Sequence, residues 1–460
     1  MEKFYLASAV RDEYDWGIAC NDSGNIVSVN ELGLYILNLL DKRPLSSEEI
    51  LSELLSKFNM DAHSSEEVKQ AINTFLSDMI EENMIASSDS MCSNKNSYFS
   101  ATYLKSPNID DPRLFLKSPL NAILLLTDRC NQKCNFCYID PRYQSVQNSE
   151  LTIEDIIKIC NVLIEQRIMT LNILGGEPLA RFDDLIRIIQ IMEEKAPWCH
   201  CSFATNATYG QGITKERAIQ LNKFKNLSVR ISLHGLEKYH DNIVGLPGAY
   251  NAALLSMKML NQYAPNLRWS INATLNKYLV AHYEEFINEL FIKHEVQNIE
   301  FAPMQYVGHA AINSLYNEEK KTNERIALKK LKDLRDYWIT KGKIILYGGR
   351  YTSDLQSFKL KGLTISCGIP HQIIIDTKGD CYFCHMTTGM KQFCGGNIFE
   401  NSFTDIWCSD AHMFLIGKSL ETGNNCVHCP VFESCQGGCR MSAYLNTGSF
   451  QGIDPSCPML

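Results

Sequence analysis

The sequence predicts an α/β chain built around a partial (β/α)6 barrel of the TIM type, with a small winged-helix-like unit before it and a cysteine-rich extension after it. Three observations lead there. Between residues 120 and 310, short apolar runs alternate with longer stretches of helical period, as a curved parallel sheet with outer helices requires. Ahead of them, two S-x-x-E signals open amphipathic helices behind a group of short strands. Beyond them, periodic apolar content fades while cysteines and Gly-rich turns accumulate.

Barrel strands are expected near residues 122–126, 171–174, 202–204, 229–232, 269–273 and 299–302. Helices between them are expected, for instance, at 153–164, 185–195, 252–262 and 283–293. Such a sheet brings the C-terminal end of every strand to one shared mouth. In the N-terminal unit, residues 1–86, strands are expected near 4–7, 16–20 and 26–29, with a turn from Asn21 to Gly24 joining the last two. Three helices follow, beginning near Glu31, Ser46 and Ser64. Ser46 with Glu49, and Ser64 with Glu67, form the capping boxes. Residues 87–112 are rich in Ser and Asn without periodicity and read as a linker. The barrel domain is assigned to 113–345, with a long charged helix around 317–341, and the extension to 346–460. From about residue 364 the extension lacks the apolar content for its own core, so metal ligation is expected to hold it.

With 460 residues, 45% apolar and 21% charged, the chain can bury several cores. No apolar run approaches the ~20 residues of a membrane span, and the N-terminus lacks a secretory pattern. A cytoplasmic protein without a membrane partner is expected. The formal charge of -8 is uneven: residues 1–86 hold 16 Asp and Glu against 6 Lys and Arg. That acidity disfavours nucleic acid and suits a basic partner, although it also fits simple solvated helix faces. The 18 cysteines cluster in spacings that point to metal rather than disulfides.

Cys130, Cys134 and Cys137 form a C-x3-C-x2-C run directly after the first barrel strand, and no further Cys or His follows until Cys160. A structural zinc site would need a fourth ligand nearby. Three thiolates on a cubane iron-sulfur cluster instead leave one iron for a ligand that is not protein, the arrangement that radical chemistry with S-adenosyl-L-methionine uses.

Together with Gly175, Gly176, Glu177 and Pro178 after the second strand, this motif resembles the radical S-adenosylmethionine (radical SAM) superfamily over residues 120–310. The resemblance implies a four-iron, four-sulfur cluster on the three cysteines and a Gly-Gly-Glu-Pro stretch holding the cofactor's amino group. Glycines there permit close backbone approach and Glu177 offers an acceptor. It also implies contacts from Asn206, after strand three, and Ser232, at the end of strand four. Where His234 stands the family often has an aspartate. Asn272, Thr274 and residues 303–306 are further candidates for the adenine side, with packing or capping as the plain alternative.

Cys367, Gly379 and Cys384, with Cys426, Cys429, Cys435, Cys439 and Cys457, resemble the SPASM extension of that superfamily, which carries two auxiliary iron-sulfur clusters. The resemblance assigns Cys426, Cys429, Cys435 and Cys457 to one cluster, and Cys367, Cys384 and Cys439 to the other. The second set is one thiolate short. Either Cys381 or Cys394 completes it, or an open iron binds a substrate thiolate. The remaining cysteines read as small buried hydrophobes.

Residues 1–86 resemble the PqqD-like precursor-peptide recognition domain, on the hairpin-to-helix stretch 24–33 and three helices in order. In that family a leader peptide adds as a strand to the small sheet, beside the third helix. The combination implies a maturase of ribosomally made peptides, of the sactipeptide or ranthipeptide type. On this reading a 5'-deoxyadenosyl radical takes hydrogen from a peptide carbon, which couples to a cysteine sulfur as a thioether while the surplus electron leaves through an auxiliary cluster; flavodoxin or ferredoxin supplies the electron that forms the first radical. The alternatives are carbon-carbon crosslinking of a peptide, formylglycine-type maturation, and a non-catalytic leader-binding adaptor. No acid or base side chain is assigned.

Overall fold

The computed structural model describes the chain apart from residues 1, 7, 14–15, 22–25, 59–64, 88–115, 140–149, 314, 316–329, 332, 348–358, 361–362, 365–366, 421–425, 427, 431, 433–436, 456, 458 and 460. The expected 21–24 turn, the Ser64 cap, most of the 87–112 linker, much of the 317–341 helix, and Cys435 therefore lie wholly or partly outside the described residues. Two compact units divide the chain. One comprises residues 1–117 and 356–365, the other 118–355 and 366–460.

In the first unit, β1 (Phe4–Leu6), β2 (Ser8–Asp12), β3 (Trp16–Asn21) and β4 (Ile26–Asn30) precede α1 (Glu31–Lys42), α2 (Ser47–Phe58), α3 (Ser65–Glu81) and β5 (Ile85–Ser87). Antiparallel β2, β3 and β4 form a sheet in sequence order, while β1 pairs with β5. The sequence reading missed β2, and reasonably so. Its Ser-Ala-Val-Arg-Asp run carries no apolar alternation, and Arg11 is buried through an ion pair with Glu13 at 2.5 Å. Asn30 caps α1 by accepting from the Gly33 N–H at 2.9 Å. The Ser46 box closes in both directions: the Glu49 carboxylate accepts from the Ser46 N–H at 2.8 Å, and Ser46 Oγ from the Glu49 N–H at 3.3 Å. Ile36, Leu37, Leu45, Ile50, Leu54 and Ile72 fill the core.

In the second unit, β6 (Asn121–Leu125), β7 (Thr170–Leu174), β8 (His200–Thr205), β9 (Leu227–Ser232), β10 (Arg268–Thr274), β11 (Asn298–Ala302) and β12 (Ile344–Tyr347) lie parallel, each beside the next. Between them run α4 (Ile153–Glu165), α5 (Phe182–Lys195), α6 (Lys215–Leu221), α7 (Glu237–Val244), α8 (Ala249–Tyr263), α9 (Lys277–Asn288) and α10 (His309–Ile312). The six expected strands are present and β12 adds a seventh. The expected 283–293 helix starts earlier and ends in a π turn, Glu289–Lys293. Leu171, Ile173, Phe203, Val229, Ile231, Ile271, Ile299 and Phe301 are fully buried beneath the helices. The alternate residues, Asn172, Arg230, Ser232, Asn272 and Glu300 among them, are only half-buried and line the concave face.

The chain then forms a short hairpin, β13 (Lys359–Leu360) and β14 (Leu363–Thr364), which belongs to the first unit. It returns to the second for β15 (Gln372–Ile375), β16 (Asp380–Tyr382) and β17 (Gly396–Asn397), followed by α11 (Phe403–Trp407), α12 (Asp410–Leu420) and α13 (Arg440–Thr447). β15 pairs parallel with β6, and β16 and β17 continue antiparallel, so one sheet of ten strands runs from β12 to β17. This corrects the expectation that burial cannot hold the extension. Ile373, Ile374 and Ile375 are fully buried as a continuation of the barrel's own sheet. A run of three was too short to read as periodic.

Truncation of a core side chain tests the first unit. Leu54→Ala, at a site with no exposed surface, should cost about 2–5 kcal/mol and lower the midpoint of that unit's unfolding transition in urea.

Candidate functional site

Two consecutive glycines fix the barrel mouth. Gly176 N–H donates to Thr127 O at 2.6 Å and Glu177 N–H to Arg129 O at 2.8 Å, so the 175–177 segment lies flat on the backbone that leads into Cys130. A Cβ on Gly175, whose φ is +125°, would stand 2.4 Å from Thr127 O. One on Gly176 would stand 2.3 Å from Arg129 O. Only residues without a side chain permit that approach.

Glu177 is 1% exposed, and three donors surround its carboxylate: Leu179 N–H at 3.0 Å, Thr205 Oγ1 at 2.5 Å and Asn206 N–H at 2.7 Å. Burial pushes its pKa up to about 7 against the pull of those hydrogen bonds. The side chain thus ties the β7 and β8 ends together. Asn206 carries the link onward, its Nδ2 donating to Asn131 Oδ1 at 2.9 Å and lying 3.9 Å from Cys130 Sγ. Pro178 starts a short 3-10 turn and is buried. Ser232 closes β9 in register with Asn272.

The cysteine loop is pinned from other directions too. Lys133 N–H donates to Val244 O and Asn135 N–H to Ile243 O, and His309 N–H to Cys137 O, at 2.8, 3.0 and 2.8 Å. His234, 5% exposed, accepts from the Thr274 N–H through Nδ1 at 3.1 Å and meets the Phe136 ring edge-on at 4.8 Å. It joins the ends of β9 and β10 and supports the cysteine loop. Its pKa is held well below the ordinary value by burial and by His240.

Cys130 is exposed, and Cys134 and Cys137 are half-buried. Burial and the proximity of Cys137 and Cys130 push the Cys134 thiol up to about 12. Burial raises the other two as well. Three crowded thiols resist ionising until a cation arrives, and an iron-sulfur cluster supplies that charge while taking them as thiolates. The donor set therefore fits such a cluster. Among the described residues no three ligating side chains converge as they would on a single metal ion.

In the extension, Cys384 is buried, while Cys367, Cys426, Cys429, Cys439 and Cys457 are half-buried. Asp454, which sequence reasoning overlooked, joins two of the ligand segments. Its carboxylate accepts from the Cys439 N–H at 2.5 Å and its carbonyl from the Cys457 N–H at 2.8 Å. Only its 3% exposure, invisible in sequence, marks it. Cys381 is fully buried and within electrostatic reach of Cys394, each thiol held above its ordinary pKa first by burial.

In the first unit, a shallow groove of about 490 Å³, open to solvent, runs along α3, lined by the exposed Glu67, Gln70, Ala71, Thr74 and Asp78 and by the half-buried Phe75. Phe75 and Val29 both approach Gly33 closely, which sets this groove at the β4 side of the helix. β4 itself is an edge strand of its sheet.

Residues 124–290 match the Radical SAM superfamily, residues 20–85 coenzyme PQQ synthesis protein D (PqqD), and residues 367–430 the SPASM iron-sulfur cluster-binding domain. The chain carries radical SAM, PqqD and SPASM domains and is a radical S-adenosylmethionine enzyme. These domains imply S-adenosyl-L-methionine, one 4Fe-4S cluster and auxiliary iron-sulfur clusters. Among similar proteins, the mycofactocin maturase MftC of Mycolicibacterium smegmatis is 24% identical over 351 residues, 74% of this chain and 83% of that protein. The cysteine-type anaerobic sulfatase-maturating enzyme of Clostridium novyi is 25% identical, covering 71% of this chain and 88% of that protein. The PqqA peptide cyclase of Methylocella silvestris is 23% identical, over 74% and 87%. Streptococcus suis SuiB, solved bound to its precursor peptide SuiA, shares the fold across 99% of both chains, with a TM-score of 0.68 at 18% identity. Among the described residues no helix is long and apolar enough to cross a membrane.

Gly176→Ala should displace the cysteine loop or cost about 1–3 kcal/mol through overpacking. Iron and sulfide content after anaerobic reconstitution should fall with it. Unchanged iron and an unchanged unfolding midpoint would show that the loop tolerates the clash.

Proposed function

We propose that the chain modifies a ribosomally made precursor peptide and forms cysteine thioether crosslinks in it. The observation that carries the reading is the α3 face beside β4, the outer strand of its three-stranded sheet, in a unit fused to a radical SAM domain. An extended leader added to β4 gains main-chain hydrogen bonds, and its side chains reach the groove. The rim acids Glu67 and Asp78 suit a basic leader. MftC, the PqqA cyclase and SuiB bear names of peptide maturation, which supports the broader statement; the thioether is our finer reading.

Cys130, Cys134 and Cys137 would hold the 4Fe-4S cluster, which with S-adenosyl-L-methionine supplies a 5'-deoxyadenosyl radical able to take hydrogen from a peptide carbon. Gly175, Gly176, Glu177, Pro178, Asn206 and Ser232 would form the cofactor seat. The Glu177 carboxylate takes two donors on Oε1 and one on Oε2, so the remaining Oε2 acceptor site and the backbone carbonyls of this stretch would meet the cofactor's ammonium. Cys367, Cys384, Cys426, Cys429, Cys435, Cys439 and Cys457 would hold the auxiliary clusters. An external one-electron donor of the flavodoxin or ferredoxin class and a cytoplasmic location complete the reading, with the domain limits given above.

After anaerobic reconstitution and reduction, the enzyme should form 5'-deoxyadenosine, and the variant with Cys130→Ala, Cys134→Ala and Cys137→Ala should form none. A non-catalytic adaptor would give equal, background yields in both. With a cysteine-containing peptide encoded beside the gene, each crosslink should remove two hydrogens and protect one thiol from alkylation. If mass falls while every thiol still alkylates, the bond is not to sulfur. Ala71→Trp, which fills the α3 groove, should weaken leader binding tenfold or more, about 1.4 kcal/mol, without changing peptide-free 5'-deoxyadenosine formation.

A further inference from the structure

The concave face of the barrel carries a hydrogen-bonded ladder that ends in an under-used cation. Asn121 Oδ1 accepts from Thr170 Oγ1 at 2.8 Å and from Asn172 Nδ2 at 2.6 Å. Asn172 Oδ1 in turn accepts from Ser202 Oγ at 2.5 Å and from an Arg230 Nη at 3.3 Å. Four neighbouring strands, β6 to β9, thus contribute to aiming one guanidinium. That single neutral bond is the one hydrogen bond Arg230 makes among the described residues, and its Nε is buried with no partner. None of the described ion pairs includes it.

A guanidinium has five N–H donors, so this half-buried one, with its Nε shut off from water, leaves most of its fork open to a ligand in the hollow. Arginines that only brace this fold spend their forks differently. Arg181 donates to the Leu126 and Leu151 carbonyls and pairs with Asp184, and Arg440, whose Nε is also orphaned, reaches the Phe450, Gly452 and Gly437 carbonyls. Glu300 faces the same hollow from β11, but no described ion pair joins it to Arg230. Arg230 lies two residues, about 6.6 Å, deeper along β9 than Ser232.

We propose that Arg230 anchors a carboxylate inside the barrel. Two sources share that chemistry: an acidic residue of the peptide, which the depth along β9 favours, and the methionine carboxylate of the cofactor. The peptide source rests on the function proposed above. The cofactor source needs only the radical SAM domain.

The test uses full-length, anaerobically reconstituted protein as wild type, Arg230→Met and Arg230→Lys. Equilibrium dialysis measures S-adenosyl-L-methionine and its decarboxylated analogue, and melting shifts compare acetyl-Ala-Asp-Ala-amide with its Asn counterpart at millimolar concentration. If the cofactor supplies the group, Arg230→Met weakens S-adenosyl-L-methionine tenfold or more and leaves the decarboxylated analogue unaffected. If the peptide does, cofactor binding is unchanged, and the wild-type preference for the Asp probe vanishes in Arg230→Met and persists in part in Arg230→Lys. Without ligand, Arg230→Met should melt no lower than wild type, because the one acceptor it leaves, Asn172 Oδ1, keeps Ser202 Oγ as a donor; a bracing arginine would lower it. The proposal is overturned if Arg230→Met melts clearly lower without ligand, or if neither the cofactor contrast nor the Asp-over-Asn contrast depends on residue 230. Failure of the Asp arm with a positive cofactor arm would leave the carboxylate site intact and remove only its link to the peptide.

Discussion

The mouth of the barrel depends on one backbone contact, in which residues 175–177 lie directly on residues 127–129. Hydrogen bonds of 2.6 and 2.8 Å make it, and the missing side chains of Gly175 and Gly176 allow it. Through it, the end of β7 determines where the chain turns into Cys130. The Glu177 carboxylate then extends the grip to β8, and Asn206 brings it back to the first cysteine. A three-ligand cluster site needs this rigidity more than a closed one, because the polypeptide does not surround its metal on every side. The cost is a buried acid whose pKa is raised, held in place by three donors.

The extension depends on the barrel in a second way. β15 joins the edge of β6, the same strand that leads to the cysteine loop, so the two cysteine-bearing regions share one hydrogen-bonded sheet. Thr377, just beyond β15, donates to the Asp128 carboxylate at 3.0 Å, two residues before Cys130. A shift of the extension's first strand would therefore be felt at the Cys130 loop. The later ligand segments have little apolar support and use Asp454 and Arg440 as polar stitches instead.

The first unit follows separate physics. Its small core is a standard amphipathic packing of three helices on strands, and its sheet ends at β4, next to an acidic helix face and close to β13. Outer strands are a liability that proteins normally cover, and β13 lies beside this one.

Sequence alone determined the cluster motif, the Gly-Gly-Glu-Pro stretch, six barrel strands and the helices of the first unit, because these depend on local spacing: thiols three and four residues apart, caps three residues apart, apolar residues at helical or strand period. It could not reveal β2, whose residues lack alternation, nor the attachment of β15 to β6, where 372–375 must find 121–124 across some 250 residues. It offered Glu177 as an acceptor for the cofactor but could not reveal the three donors of the protein's own that hold that carboxylate in place. Arg230 had no motif to mark it. Its significance lies in what is absent around its Nε, and partners supplied or withheld by distant strands exist only once the sheet has closed.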